Sequence, residues 1–350
     1  MRIAQVAPLF ESVPPKFYGG TERVVHYLTE GLVKAGHQVT LYASGDSQTS
    51  AELRPIGQRS LRMLGAKEPI APHMGMFEVL RQEAHRYDVI HFHNEYLHLP
   101  TTRMIDVPCL STLHGRLDHV EYEEVYSLFK DHSFVSISMS QRKAKPALNW
   151  VDRIYHGFPS ELMPFSAKGS GYLAFLGRIT PEKRVEHAIE IARLSGRRLK
   201  VAAKIPNERD EYVRSVLPLL EQPFVEFVGE IGDSEKPEFL GGADALLFPI
   251  DWPEPFGLVM IESLAAGTPV IAFRQGSVPE VIEDGKTGFV VDSIDEAVRA
   301  VKQLGQVDRK NCRAAFENRF SVDRMVSDYV CLFERMIQSP IQMQSFAGSL

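Results

Sequence analysis

Apolar positions follow two rhythms along this chain. Short, mostly apolar runs, "RIAQVAP" at the start, then "HQVTLYA", "YDVIHFH", "VPCLSTLH" and "HSFVSIS", have the length and β-branched content of buried strands. Between the first two, "TERVVHYLTEGLVKAG" repeats its apolar residues at helical spacing and stops at Gly36, a natural helix end. No hairpin turn signal joins the strands, so helices must connect them, and such crossovers imply a mostly parallel sheet. The rhythm breaks over "YHGFPSELMPFSAKGSG", whose Gly, Pro and Ser read as a linker. It restarts with "GYLAFLG", the helix "PEKRVEHAIEIARLSG", and the strands "LKVAAKI", "VEFVGEI", "ADALLFP" and "TPVIAF". A helix "DEAVRAVKQLG" and the amphipathic "SVDRMVSDYVCLFERMI" follow. The pattern predicts an α/β protein of two doubly wound domains meeting near residues 158–170. In such sheets ligands sit outside the carboxyl ends of the strands, so the cleft between the domains is the place to look for a site.

Composition narrows the function. A chain of 350 residues suits two domains, at roughly 100–200 residues each. The formal charge of −6, with Lys and Arg scattered, argues against nucleic acid as a partner while leaving room for a small anionic ligand. The three cysteines, Cys109, Cys312 and Cys331, are widely spaced, which fits neither a disulfide framework nor a zinc site and makes a reducing cytoplasm the expected location. No run approaches the ~18 continuous apolar residues of a membrane span, so peripheral contact with the inner face of a membrane is the one membrane association left open.

Three stretches carry candidate chemistry. In "YGGTERVV", Tyr18 to Val25, Gly19 and Gly20 precede a helix, where they either admit an anion close to the backbone or simply make a tight turn. The segment is not GxGxxG, so a dinucleotide fingerprint is absent. In "GRITPEKRVEHA", Arg178 and Lys183 flank a strand-to-helix loop where two cations can clamp a diphosphate, or merely face solvent. In "DWPEPFGLVMIESLAAGTPV", Pro253 and Pro255 hold a loop extended, Gly257 permits close approach, and the N–H groups from Phe256 to Val259 open a helix. Glu254 precedes that helix and Glu262 lies about one and a half turns into it. Ionised carboxylates suit sugar diols, because their oxygens accept hydrogen bonds side by side; pairing of Glu262 with a cation is the structural alternative. His91, His93 and His98 invite a metal reading, but no further ligand is tied to them, so no metal is expected.

Taken together these residues resemble the family 4 retaining glycosyltransferases of the GT-B fold, two Rossmann-like domains facing across a cleft. "EPFGLVMIE" is similar to that family's E-x7-E signature, "GRITPEK" to its G-R-x-x-x-x-K segment and "GGTE" to its N-terminal glycine loop. "AAGTPVIAFRQGSVPEVIEDGKTGFVV" resembles the usual continuation, so the likeness spans essentially the whole chain. The resemblance implies an acceptor-binding domain over residues 1–160, a nucleotide-sugar domain over 161–320, and a terminal helix near 321–340 that returns to the first domain. It also implies roles. Gly19 and Gly20 would lie against the donor diphosphate, Arg178 and Lys183 would neutralise it, and Glu254 with the amides around Phe256, Gly257 and Leu258 would hold the donor sugar. Glu262 would hold the ribose, and His114 in "STLHG" would stand near the transferred sugar. The expected reaction is transfer of a hexose, with retention, from a nucleotide-diphosphate sugar to a glycan, lipid or small-molecule hydroxyl.

With no convincing D-x-D pair, neither a metal nor another cofactor is expected. The base is read around "EIGD", Glu230 to Asp233, where UDP-glucose and GDP-mannose both fit, with a lean to UDP. The rivals are a non-catalytic nucleotide-sugar binding protein and another GT-B enzyme such as a sugar-nucleotide epimerase. A phosphorylase would need a lysine set for pyridoxal phosphate, and none is recognisable.

Overall fold

The computed structural model describes residues 1–16, 19–207 and 209–338. Tyr18 of the glycine loop, Phe17 beside it, and the final residues expected of the terminal helix lie outside that set.

The first half forms a seven-stranded sheet, all parallel, from β1 (Arg2–Val6), β2 (Gln38–Ser44), β3 (Glu52–Ile56), β4 (Val89–Phe92), β5 (Cys109–Thr112), β6 (Ser133–Ser136) and β7 (Trp150–Arg153), in the order β3-β2-β1-β4-β5-β6-β7. The second half forms a six-stranded parallel sheet from β8 (Tyr172–Arg178), β9 (Arg198–Lys204), β10 (Val225–Gly229), β11 (Ala245–Phe248), β12 (Val270–Phe273) and β13 (Gly288–Val291), in the order β10-β9-β8-β11-β12-β13. In each sheet the strand order reverses once, between β1 and β4 and between β8 and β11. The loops after these strands diverge there, leaving a crevice at their carboxyl ends.

Local sequence explains the placement. β4, β5, β6 and β11 are buried along their whole length, which is why they read as short, mostly apolar runs without a polar face. The helix Gly20–Lys34 buries Val24, Val25, Leu28 and Leu32, a stripe at three-to-four-residue spacing that packs on the sheet. The segment 155–171, which the sequence presents as a linker, is partly packed: His156, Phe158 and Met163 are buried, and Phe158 bridges to Ser321. The helix expected from Pro181 is interrupted. Pro181–Lys183 form a single tight turn, Arg184 adopts φ 51°, and the helix proper runs Val185–Ser195. A left-handed arginine is costly; Asp251 and Glu186 both pair with its guanidinium.

The terminal helix Val322–Gln338 lies on the first sheet's side of the molecule. Tyr329 and Thr112 share a hydrogen bond of 2.7 Å between hydroxyls, Gly157 N–H donates to Met325 Sδ at 3.1 Å, and the Tyr329 and His91 rings sit 4.8 Å apart. Among the described residues no helix is long and apolar enough to cross a membrane.

Candidate active site

The crevice is a cleft of about 730 Å³. Each site residue singled out in the sequence borders it: Gly19, Gly20 and His114 from the first half, and Arg178, Lys183, Glu254, Phe256, Gly257, Leu258 and Glu262 from the second. They converge because the β1, β5, β8 and β11 loops all open on the same side.

The wall after β11 carries both acids. Gly257, at φ 80°, caps the helix Leu258–Ala265, and a Cβ there would meet Met260 Cε at 2.8 Å. The first N–H groups of that helix have no partner within it and open on the cleft. Facing them is the start of the helix Gly20–Lys34: a Cβ at Gly20 would stand 3.9 Å from Leu258 Cδ1. The loop before Gly257 is pinned from behind. Ser277 N–H donates to Glu254 O at 2.9 Å and Ser277 Oγ to Phe256 O at 2.8 Å.

Neither acid stands alone. Glu254 accepts from Lys183 Nζ at 2.5 Å and from Trp252 Nε1 at 2.8 Å. Lys183 also lies over the rings of Trp252 and Phe248, at 5.1 and 5.3 Å. Glu262 accepts from Lys236 Nζ at 2.8 Å, and Lys236 reaches Asp233 at 3.1 Å. The structural alternative for Glu262 is thus realised, with a lysine as partner, at a position that still borders the cleft. Burial works to lower the pKa of Lys236, but Glu262 and Asp233 outweigh it and hold the ammonium above the usual lysine value. Asp233 shows the converse: burial pushes it up, while Lys236 and Arg23 bring it below the ordinary aspartate value. Arg23, from the first half, makes its ion pair with Asp233 across the cleft. Arg178 sits 3.4 Å from Glu182.

The opposite wall is a bank of imidazoles. His114 stacks on His156 at 5.1 Å and 19°, and His156 meets the Phe256 ring edge-on at 5.0 Å. Burial brings His114 down to about 3, so it is neutral at physiological pH. Glu95, at φ 50°, accepts from the N–H groups of His114 and Gly115 at 3.0 and 2.9 Å and so fixes the turn that presents His114. Burial raises Glu95 to about 7, against the lowering effect of those two N–H groups.

Sequence reading missed Lys236, Trp252, Arg23, His156, Glu95 and the Gly276–Ser277 backing. Lys236 sits in "SEKPEF", which looks like solvated surface. His156 lies in the stretch that reads as linker. Trp252 was the one with a visible signal, an aromatic two residues before Glu254.

The site can hold an extended anionic ligand between two carboxylate–lysine pairs, with unpaired N–H groups between them and neutral imidazoles opposite. Comparison with known proteins bears on the family and the fold. Residues 18–159 match the model described as Glycosyltransferase Family 4, and residues 164–318 the model described as Glycosyl transferases group 1. A glycogen synthase of Mycobacterium tuberculosis is 26% identical over 90% of this chain and 89% of its own length. Among solved structures, sucrose-phosphate synthase from Thermosynechococcus elongatus superposes with a TM-score of 0.79 at 19% identity, over 97% of this chain and 99% of the other. Anabaena HepE, solved in complex with UDP and glucose, gives 0.73 at 19% identity, over 96% and 100%. With its two matched regions side by side on two facing doubly wound sheets, the chain belongs to the family 4 glycosyltransferases of GT-B fold.

Proposed function

We propose that this glycosyltransferase moves a hexose from a nucleotide-diphosphate sugar to an acceptor hydroxyl, with retention of configuration and without a metal ion. The observation that carries this reading is the pair of lysine–carboxylate contacts, Lys183–Glu254 and Lys236–Glu262, set along one helix start in a single cleft. Glu262 lies about 7.5 Å along the helix axis from Gly257, at ~1.5 Å per residue. In this reading Glu262 holds the ribose diol and Glu254 the sugar hydroxyls. The helix-start amides, Arg178 and Lys183 surround the diphosphate between them.

The difficult step is departure of the nucleoside diphosphate from the anomeric carbon, as negative charge grows on the leaving phosphate. Preorganised cations and amides meet that charge without rearranging. Lys183 is shared between Glu254 and the phosphate, so its ammonium stays compensated before and during the step. The acceptor attacks from the leaving-group face and passes its proton to the departing phosphate, so no protein base is assigned. Closure of the two halves, tied by Arg23 and Asp233, excludes water. The lean to UDP over GDP draws support from HepE, a protein of the same fold that holds UDP. The acceptor, a glycan, lipid or small molecule, is read by the first half.

The test is release of nucleotide diphosphate from UDP-glucose and GDP-mannose, with and without excess chelator. The expected result is slow hydrolysis of one donor, unaffected by chelator. It should fall about 10²–10³-fold in Arg178→Ala, the usual cost of removing one electrostatic stabiliser. Loss of activity in chelator with rescue by Mg²⁺ overturns the metal-free step. Tight UDP binding with no turnover of any sugar nucleotide marks a binding protein instead.

A further inference from the structure

An acid of the second half reaches across to the first without bordering the cleft. Glu280 sits on the short helix Val278–Val281, between β12 and β13. Its Oε2 accepts the N–H of Met139 at 2.7 Å, and its Oε1 accepts the N–H of Ser140 at 2.7 Å. Both donors open the turn Met139–Arg142, which follows β6. The hydroxyl of Tyr155, on the segment that crosses between the halves, donates to the same Oε2 at 3.2 Å. None of these four residues lines the cleft.

Each end of this contact is built into a wall of the cleft. In the second half, Ser277, in the same turn as Glu280, donates its N–H to the carbonyl of Glu254 and its hydroxyl to that of Phe256. Arg319 donates to the carbonyls of Glu280 and Val281 and braces the turn from behind. In the first half, Gln141 lies in the turn that Met139 opens. Its Nε2 donates to Leu113 O at 2.8 Å and Gly115 O at 2.9 Å, the carbonyls on either side of His114. Its Oε1 accepts the N–H of Ile137 at 3.0 Å. Two carbonyls on one side and an N–H on the other admit only this orientation of the amide. An unbroken run of backbone and hydrogen bonds thus joins the Glu254 loop to the His114 turn.

The chain crosses between the halves at 155–171 and returns near Ser321. Two halves joined in this way pivot unless something sets the angle between them. A carboxylate that takes one N–H with each oxygen fixes both distance and tilt, and its charge strengthens each bond. Glu280 is half-buried and Met139 is 47% exposed, so water can replace the contact when the halves part. We propose that Glu280 is a positioning residue that sets the angle between the halves, and with it the register of the Glu254 loop against the His114 turn. It acts on the reacting geometry without touching the ligand. The inference rests on the reading above, that a sugar nucleotide reacts in the cleft; the angle itself is a property of the protein alone.

The experiment measures the angle and the reaction separately. Spin labels at Glu124→Cys and Lys302→Cys, exposed positions in opposite halves, report the distance distribution between the halves. The exposed Cys331 is replaced by Ser, while Cys109 and Cys312 are buried and stay. Glu280→Ala should shift or broaden the distribution. In the same variant, kcat for hydrolysis of whichever of UDP-glucose or GDP-mannose is turned over should fall about 10²-fold, the order that ~1 Å of misplacement costs. Affinity for UDP or GDP alone should stay unchanged, because Glu262 and Lys236 lie together in one half. Met139→Pro removes one donor from the other side. Ser138 before it is extended, at φ −160° and ψ 163°, and the first helical position accepts proline. This variant should reproduce part of the loss in kcat, and adding it to Glu280→Ala should cost nothing further; it also serves if the alanine variant does not fold. An unchanged distribution in Glu280→Ala, or an unchanged kcat, overturns the proposal. So do nucleotide affinity falling in step with kcat and additive losses in the double variant, which mark a merely local structural role. If no sugar nucleotide is hydrolysed, the proposed function has failed, and the label distances still decide whether Glu280 sets the angle.

Discussion

Glu254 owes its position to a residue twenty-two places further along the chain. Gly276 has φ 55°, and a Cβ there would overlap the backbone N and O of Glu254 and lie 2.7 Å from the Pro253 carbonyl carbon. Gly276→Ala therefore faces two costs: about 1–2 kcal/mol for a left-handed residue with a side chain, and a backbone clash that can be relieved only by shifting the loop that carries Glu254. We expect the variant to unfold at lower temperature and to lose donor hydrolysis, while calorimetry still detects the nucleotide diphosphate held at the Glu262–Lys236 end. Wild-type hydrolysis in Gly276→Ala would mean that the loop's exact position is unimportant. The case also marks where the sequence stops being readable. Glu254 and Glu262 were legible because one helix start fixes both of them, and Arg178 and Lys183 because one loop does. Gly276, Lys236 and Trp252 act through space, from segments whose own patterns look like turn and surface, and no local periodicity links them to the acids they support.

At the level of elements, the strands that escaped sequence reading are edge strands. β3 contains Pro55 and no fully buried position, and β7 is half-buried over its first three residues and exposed at Arg153. Neither shows the apolar run that betrays β4 or β11, because only one neighbour covers them. Helix contacts were less legible still, since they depend on glycines whose purpose is closeness. Gly31 sits inside the helix Gly20–Lys34, where glycine costs about 1 kcal/mol relative to alanine. The reason is the terminal helix Val322–Gln338: a Cβ at Gly31 would overlap Val326 Cγ2. Gly31→Ala should thus destabilise the protein by about 1–3 kcal/mol, the range for overpacking, although alanine is the better helix former. Val326→Ala should cost stability by itself and yet relieve the first change. The measurement is a double-mutant cycle by chemical denaturation, and additivity of the two changes would show that the helices do not meet at this pair.

Across the whole molecule the two halves differ in how their buried groups respond to added protons. His91, His93, His98 and His156 are almost wholly buried, and desolvation lowers each well below the usual histidine value. All four lie in the first 160 residues. A lowered histidine pKa means that the unfolded chain binds the proton more readily. The stability each confers is complete above about pH 6.5 and is lost as pH falls toward the folded value, at about 1.4 kcal/mol per pH unit per group. Three acids in the same half, Glu11, Glu22 and Glu95, act in the opposite sense. Burial raises Glu22 to about 6 and Glu95 to about 7, so their contribution is present below the ordinary carboxyl range and lost as pH rises through those values. Burial lowers His114 to about 3 and His132 to about 4 as well, so these six histidines outweigh the three acids, and the first half should weaken as pH drops from 6.5 to 5 while the second half holds. Hydrogen exchange followed by mass spectrometry reads this peptide by peptide: β1, β4, β5 and β6 should lose protection first. The helix Val322–Gln338 should go with them despite its place at the end of the chain, because Tyr329 and Phe333 rest against His91. If that helix instead kept its protection with β8 to β13, its contacts with the first sheet would not be what holds it, and the coupling of the chain's two ends would have to be sought elsewhere.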